Sequence, residues 1–483
     1  MGFMIGALNT YFFTHKDWFS TDQYGLTRSV LEIGMLIFAF SAMGTTFYLY
    51  KFFPYYEDNL EKKDNDLLGL SLKISLVGFI LTISGLILAQ PLIVRKFGAN
   101  SRLLVEYFYI TIPFAFFLLL YNLLEGYSYG FSKGVLTNML KETVLKFYTL
   151  VIVVLKICGL ISFRSFIYLF SGQYALIVII LLLILKKEGK LWLSFKTSRV
   201  TKKFRKKIIA LLSLTFIALI VTALRTSIDS IVLAARQNLG KVAIFGFASY
   251  LVTVMQAPFR SIVSITIPVL SREWKSKRIK EITRIYKRSS INLLSFSLFI
   301  FFLVLLNYSP AIKYFDLNPA YLEGQTVFIL LGIVTIIEMG TGVNGQIIGT
   351  SVFWRFELWT STLLTALIIP LSYFLTVRYG LIGPALANLV SFTVYNGIRY
   401  WFLLKKFNMQ PFSRKTAEIF AIAGIAYLAC YFLPFGKENL FTIIARSFLY
   451  SVLFIIPAYF FNISPDLKPV LSAVNKRLQR LLK

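Results

Sequence analysis

Histidine and cysteine are almost absent from this chain, with one His and two Cys among 483 residues. That scarcity excludes a disulfide framework and a four-ligand zinc site. Charge is scarce too, at 15% of residues against a usual ~25%. A soluble protein needs polar surface to cover its core, and this composition cannot supply it. No G-x-x-x-x-G-K-[ST] phosphate loop, H-E-x-x-H or nucleophile elbow occurs. Direct use of ATP and hydrolytic catalysis are therefore not expected, and neither is a metal or cofactor; the chain does not read as an enzyme.

What is abundant is apolar. Hydrophobic residues make up 57% and aromatics 17%, a composition suited to lipid as solvent. Fourteen apolar runs are predicted to be helices: 1–13, 29–49, 68–89, 103–124, 143–161, 166–185, 208–234, 242–270, 289–306, 325–341, 358–377, 385–404, 417–433 and 441–461. A bilayer core takes about 20 apolar residues per helix. The first run is shorter and lacks the features of a signal peptide. A start placed too late, or a chain beginning within the membrane, is the expectation there. The longest connection on the outer side, 307–324, leaves no room for a folded external domain, which needs about 50 residues. That argues against glycosyltransferases, ligases and polymerases that hold a sugar acceptor outside.

The net charge of +29 has two readings, nucleic acid or membrane topology. Connections after even-numbered runs, with the C-terminal tail, carry 33 of the 51 Lys and Arg; those after odd-numbered runs carry 11, and seven lie within runs. The positive-inside rule then places the even connections and the C-terminus in the cytoplasm. Topology absorbs the charge, so no nucleic-acid partner is expected.

Weak self-similarity recurs at offsets of 218, 221, 214 and 219 residues. It predicts two six-helix lobes in parallel repeat around a central cavity. Residues 1–185 would form the N-terminal lobe, 186–207 a basic cytoplasmic linker and 208–404 the C-terminal lobe. Residues 405–483 would hold two further helices and a basic tail. An all-α polytopic membrane protein of this plan suggests transport by alternating access.

Residues 20–28, Ser-Thr-Asp-Gln-Tyr-Gly-Leu-Thr-Arg, followed by an apolar helix and Lys-Phe-Phe-Pro-Tyr-Tyr at 51–56, resemble the opening of polysaccharide exporters and O-antigen flippases. So do Asp229 ahead of Phe245-Gly246 and Pro268. The second lobe resembles the same family in Gly-Val-Asn-Gly-Gln-Ile-Ile-Gly-Thr at 342–350 and Arg-Tyr-Gly-Leu-Ile-Gly-Pro-Ala-Leu-Ala at 378–387. The resemblance implies the multidrug/oligosaccharidyl-lipid/polysaccharide (MOP) exporter superfamily. It further implies a multi-pass protein of the bacterial inner membrane that flips polyprenyl-pyrophosphate-linked oligosaccharide for O-antigen, capsule or exopolysaccharide assembly. Membrane lipids, polysaccharide polymerase machinery and H+ or Na+ coupling are the associated partners. The short first run departs from the family.

A pyrophosphate crossing the bilayer needs a cationic, hydrogen-bonding path, and charges inside the runs are the candidates. Arg28, Arg225, Arg260 and Arg399 are the expected substrate cations. Asp229, one turn after Arg225, and Glu338 with Asn344 are the expected coupling or sugar-contacting groups. Each has a plainer reading: Arg225–Asp229 as a self-neutralising pair, Arg260 snorkelling, Glu338 in an interhelical salt bridge, Arg28 as an interfacial anchor. Lys73, Lys146 and Arg446 read as snorkelling near helix ends. Other functions remain open: a cation-coupled multidrug exporter, a peptidoglycan lipid II flippase, or a membrane enzyme or scaffold of polysaccharide assembly. The arginines outnumber the acids in the runs, which favours an anionic substrate over cationic drugs.

Overall fold

A computed structural model describes residues 2–433 and 439–466. The basic tail read at 467–483 lies outside the described residues. The described residues are mostly helical, those of a multi-pass membrane protein, and all fourteen apolar runs carry helix. Among the described residues, ten helical segments are long and apolar enough to cross a bilayer, or eleven with one bent pair counted. Two compact units divide the chain, 1–243 and 244–483.

The first unit holds α1 (Gly2–Thr14), α2 (Thr21–Ala42), α3 (Thr45–Glu57), α4 (Leu67–Leu88), α5 (Thr111–Gly130), α6 (Leu145–Ile157), α7 (Gln173–Lys187) and α8 (Arg199–Arg236). Its central helix is α2, which packs on α4, α5 and α8. It starts earlier than the apolar run because Ser20 and Gln23 form a reciprocal cap: Gln23 N–H donates to Ser20 Oγ at 3.1 Å and Ser20 N–H to Gln23 Oε1 at 3.2 Å. It ends at Met43 and Gly44, both left-handed with φ of 49° and 77°. Helical hydrogen bonding cannot continue through that pair, so α3 restarts beyond it.

The stretch 186–207, read as a linker, is partly helix. Ser198 caps α8, and Thr201 N–H donates to its hydroxyl at 3.2 Å. The 38 residues of α8 reach about 57 Å, well beyond the ~30 Å bilayer core. Its first turns thus project as a basic rod carrying Arg199, Lys202, Lys203, Arg205, Lys206 and Lys207. A buried relay pins that rod. Thr201 Oγ1 donates to Asp66 Oδ2 at 2.7 Å, and each hydroxyl has one proton. Tyr56 must then donate to Thr201 at 2.6 Å, and Tyr48 to Tyr56 at 2.6 Å.

The division at 243/244 falls within α9 (Leu239–Met255). In the second unit α10 (Ala257–Lys275) follows at a 47° bend. Pro258 sits in the first turn of α10, where its missing N–H breaks no helical bond. Next come α11 (Ile279–Tyr314), α12 (Gly324–Gly340), α13 (Asn344–Gly349), α14 (Trp354–Tyr379), α15 (Gly383–Phe407), α16 (Arg414–Phe432) and α17 (Leu440–Phe460). Gly380, at φ 59°, turns α14 into α15, and the two pack side by side. On α16, Ile419, Ala423, Ala426 and Cys430 recur at helical spacing and bury against Leu294 and Leu298 of α11 and Tyr450 and Phe454 of α17. Conversely, large apolar side chains such as Ile80 and Leu81 on α4 and Ile425 and Phe448 on α16 and α17 lie exposed, as lipid-facing positions must.

Candidate functional site

In the first unit the polar residues inside the membrane meet where α2 packs on α8. Tyr24, Arg28 and Glu32 fall one turn apart on a single face of α2. The early start of that helix puts Arg28 about 10 Å along it rather than at its mouth. Across the interface, Ser227 of α8 donates its hydroxyl to Glu32 Oε2 at 3.0 Å and reaches the Glu32 carbonyl at 3.2 Å. The Arg28 guanidinium acts electrostatically on both Tyr24 and Glu32. Its Nε is buried and has no hydrogen-bond partner among the described residues. A charged donor in that condition is destabilising until something accepts from it.

Ser227 lies between Arg225, half-buried, and Asp229, buried. Arg225 and Asp229, one turn apart, share a face of α8 that differs from the one through which Ser227 reaches α2. Gly25 lets α2 approach the start of α9: a Cβ there would sit 1.9 Å from the Leu239 carbonyl oxygen. Beyond Asp229, the carbonyls at the end of α8 are closed by Ser101, whose hydroxyl donates to Ala234 O at 2.6 Å, and Asn100, whose amide donates to Ala235 O at 3.0 Å.

The second unit holds a separate cluster where the α12–α13 break meets α14 and α15. Asn344 Nδ2 donates to Asn396 Oδ1 at 3.2 Å, and the Thr341 hydroxyl donates to the same oxygen at 3.1 Å. Three residues along α15 from Asn396, Arg399 forms an ion pair with Glu357 of α14; their side chains are 7% and 22% exposed. The guanidinium also stacks 3.7 Å from the centre of the Tyr395 ring. Gly345 leaves room for it, since a Cβ there would lie 3.0 Å from Arg399 Nη1. Ser361 completes the group, donating to Glu357 Oε1 at 3.4 Å.

Asn344 and Arg399 are thus brought together, one on each side of Asn396. Glu338, half-buried in the last turn of α12, adjoins them: the Thr341 hydroxyl lies 2.9 Å from its carbonyl. Arg260 stands apart on an exposed face of α10. The remaining cations of the runs find polar partners near helix ends. Lys73 donates to Phe195 O at 2.6 Å, Lys146 to Glu142 Oε2 at 2.7 Å and Arg446 to Leu306 O at 3.3 Å. Lys156 donates to the Trp18 carbonyl and lies 4.2 Å from the Phe19 ring centre. Sequence reasoning missed Ser227, Glu357, Tyr395 and Asn396. Of these, only Asn396 carried a usable signal, as a polar residue three before Arg399 in an apolar helix.

No family model and no curated protein matches the chain. Among solved structures it is similar to the lipid II flippase MurJ in an inward closed conformation, with 18% identity, a TM-score of 0.69 and coverage of 95% of this chain and 96% of that one. It is also similar to a multidrug resistance MATE family transporter of the MOP superfamily in an inward-facing conformation. That likeness has 14% identity, a TM-score of 0.64, and coverage of 84% and 96%. The fold of the chain is the one these flippases and transporters share.

Proposed function

We propose that this chain is a MOP-superfamily flippase of the bacterial inner membrane, which moves polyprenyl-pyrophosphate-linked oligosaccharide by alternating access for surface polysaccharide assembly. The observation that carries the reading is Arg28: a guanidinium inside a membrane helix, held beside Glu32, with a buried Nε still lacking an acceptor. An oxyanion of a pyrophosphate satisfies such a donor, and a cationic drug cannot. Arg225 and Arg260 are its companions as substrate cations. Arg399 is the fourth, with its Glu357 partner exchanging for the substrate. Asp229, Glu338 and Asn344 serve coupling or sugar contact in this reading. The lobes are 1–185 and 208–404, and no catalytic residue is required.

A second reading, flipping of the peptidoglycan precursor lipid II, is supported by the likeness to MurJ over 95% of the chain. Both substrates carry a polyprenyl pyrophosphate and differ in their sugars. The test is reconstitution in proteoliposomes with fluorescent lipid-linked oligosaccharide or fluorescent lipid II, with the outer-leaflet label quenched over time. Movement of the first supports the leading reading and movement of the second alone supports the other. If neither moves above empty vesicles, both fail. Arg225→Ala and Arg260→Ala should each slow movement while the protein remains in the membrane; full activity in both refutes their assignment.

A further inference from the structure

We propose that the groove between the start of α11 and the start of α16 binds the phosphate headgroup of an anionic glycerophospholipid. Lys280, Arg284, Lys287 and Ile291 follow one another at helical spacing, so they form one face of α11. Opposite them, across a cleft of about 470 Å³, stand Ser413 and Lys415 at the N-terminus of α16, with Ile463 and Pro465. Arg284 lies 3.6 Å from Glu281, and Arg288 is held by Asp466. Lys280 and Lys287 have no carboxylate partner among the described residues, and neither does Lys415, whose ammonium donates to the Asn462 carbonyl. The N-terminus of the 19-residue helix α16 adds its own partial positive charge.

Among the described residues no acid offsets these three lysines, and residues 467–483, outside the described residues, contain five basic residues and no acidic one. The groove is also built for more than a free phosphate. Ile291, Ile463 and Pro465 make its lining partly apolar. Past Arg288, which borders both, opens a second slot of about 390 Å³ lined by Ile262, Ile265, Val269 and Ile285. A headgroup in the first slot thus has an apolar path beside it for an acyl chain. The loop-charge bias puts this end of α11 at the cytoplasmic leaflet, where anionic lipid and basic pockets between helices meet. The proposal stands apart from the identity of the transported substrate.

The test uses the full chain in nanodiscs of phosphatidylcholine, alone or doped with phosphatidylglycerol, with retained lipid counted by native mass spectrometry. The parent should release carrying phosphatidylglycerol. K280Q/K287Q/K415Q should reduce its retention by about tenfold or more, since each basic residue near the surface contributes appreciably to binding. A matched loss of charge elsewhere, K202Q/K203Q/K206Q on α8, should leave retention intact. Equal retention in the first variant overturns the proposal, and so does equal loss in both, which would mean bulk charge alone. Inorganic phosphate raising the melting temperature in pure phosphatidylcholine as much as phosphatidylglycerol does would also overturn it, in favour of a free-anion site. All three lysines are exposed, and the single variant K287Q, with a smaller fall in retention expected, provides the same reading should the triple variant misfold.

Discussion

The Ser227 hydroxyl of α8 donates to Glu32 Oε2 of α2 at 3.0 Å, joining two membrane helices through an acid that also faces Arg28. The acid therefore has two jobs, an interhelical bond and a countercharge, and two substitutions separate them. Ser227→Ala removes the bond and leaves the charge. It should lower stability by about 1 kcal/mol, a neutral-donor bond's typical net contribution or somewhat more. Glu32→Gln keeps an acceptor for Ser227 but deprives Arg28 of its countercharge. Transport in proteoliposomes should fall further in Glu32→Gln than in Ser227→Ala, while thermal unfolding in detergent ranks the two the other way. The same ranking in both assays would remove the distinction.

The approach of α2 to the start of α9 depends on Gly25. A Cβ 1.9 Å from the Leu239 carbonyl oxygen meets backbone, which cannot rotate away. Gly25→Ala should then destabilise by about 1–3 kcal/mol, the usual range for overpacking. A melting temperature equal to the parent's would show that the two segments separate freely.

Arg399 and Glu357 are mostly buried, so breaking the pair leaves a charge with poor solvation. Glu357→Ala should cost about 3 kcal/mol or more. The double variant Glu357→Ala/Arg399→Met should recover much of that loss, because both charges are then gone. Thermal unfolding of the two singles and the double measures the coupling. Additive losses would show that the pair contributes nothing as a pair.

Much of this fold was legible because membrane helices announce themselves by composition: all fourteen apolar runs are helical. The break at Met43–Gly44 was not, since only Gly44 signals it and the apolar run continues through it. Nor was the extent of α8, because Lys and Arg read as loop in a hydropathy scan although both are strong helix formers. At the candidate site, the arginines stood out because charge in an apolar run is rare. Their partners did not. Ser227 is unremarkable in a membrane helix, and Glu357 lies 42 residues from Arg399, a distance that only the α14–α15 turn closes. Arg28 was legible as a charge, but the apolar run opens at Ser29, so the run left out the helical turns that the Ser20–Gln23 cap begins.

Asp466, just past the end of α17, hydrogen-bonds Arg288 and Asn292, and the bond to Arg288 foremost holds its carboxyl below the usual carboxylate range. The folded value is depressed, so the contribution is fully present above the unfolded value and is lost as pH falls through the folded one. Asp466→Asn should therefore lower the melting temperature by the same amount from pH 5 to pH 8, both above the ordinary carboxylate value. That difference should vanish in acid, where the parent is protonated as well. A difference that persists below the carboxylate range would show that the group acts without its charge.

Arg28 supplies the sharpest test of an anionic path. Its side chain can present a planar fork to a phosphate, whereas lysine offers the same charge at a point. A lost charge-assisted hydrogen bond is worth about 1.5–3 kcal/mol, or roughly tenfold to a hundredfold in affinity. Arg28→Ala should therefore slow flipping by at least about tenfold and Arg28→Lys by less. Arg28→Lys should keep the melting temperature near the parent's because it retains a countercharge for Glu32, whereas Arg28→Ala leaves that acid uncompensated and should lower it. Soluble pyrophosphate should compete with transport in the parent and lose that effect in Arg28→Ala. If Arg28→Ala transports normally but melts early, the residue is an anchor for Glu32 and the anion path must run elsewhere.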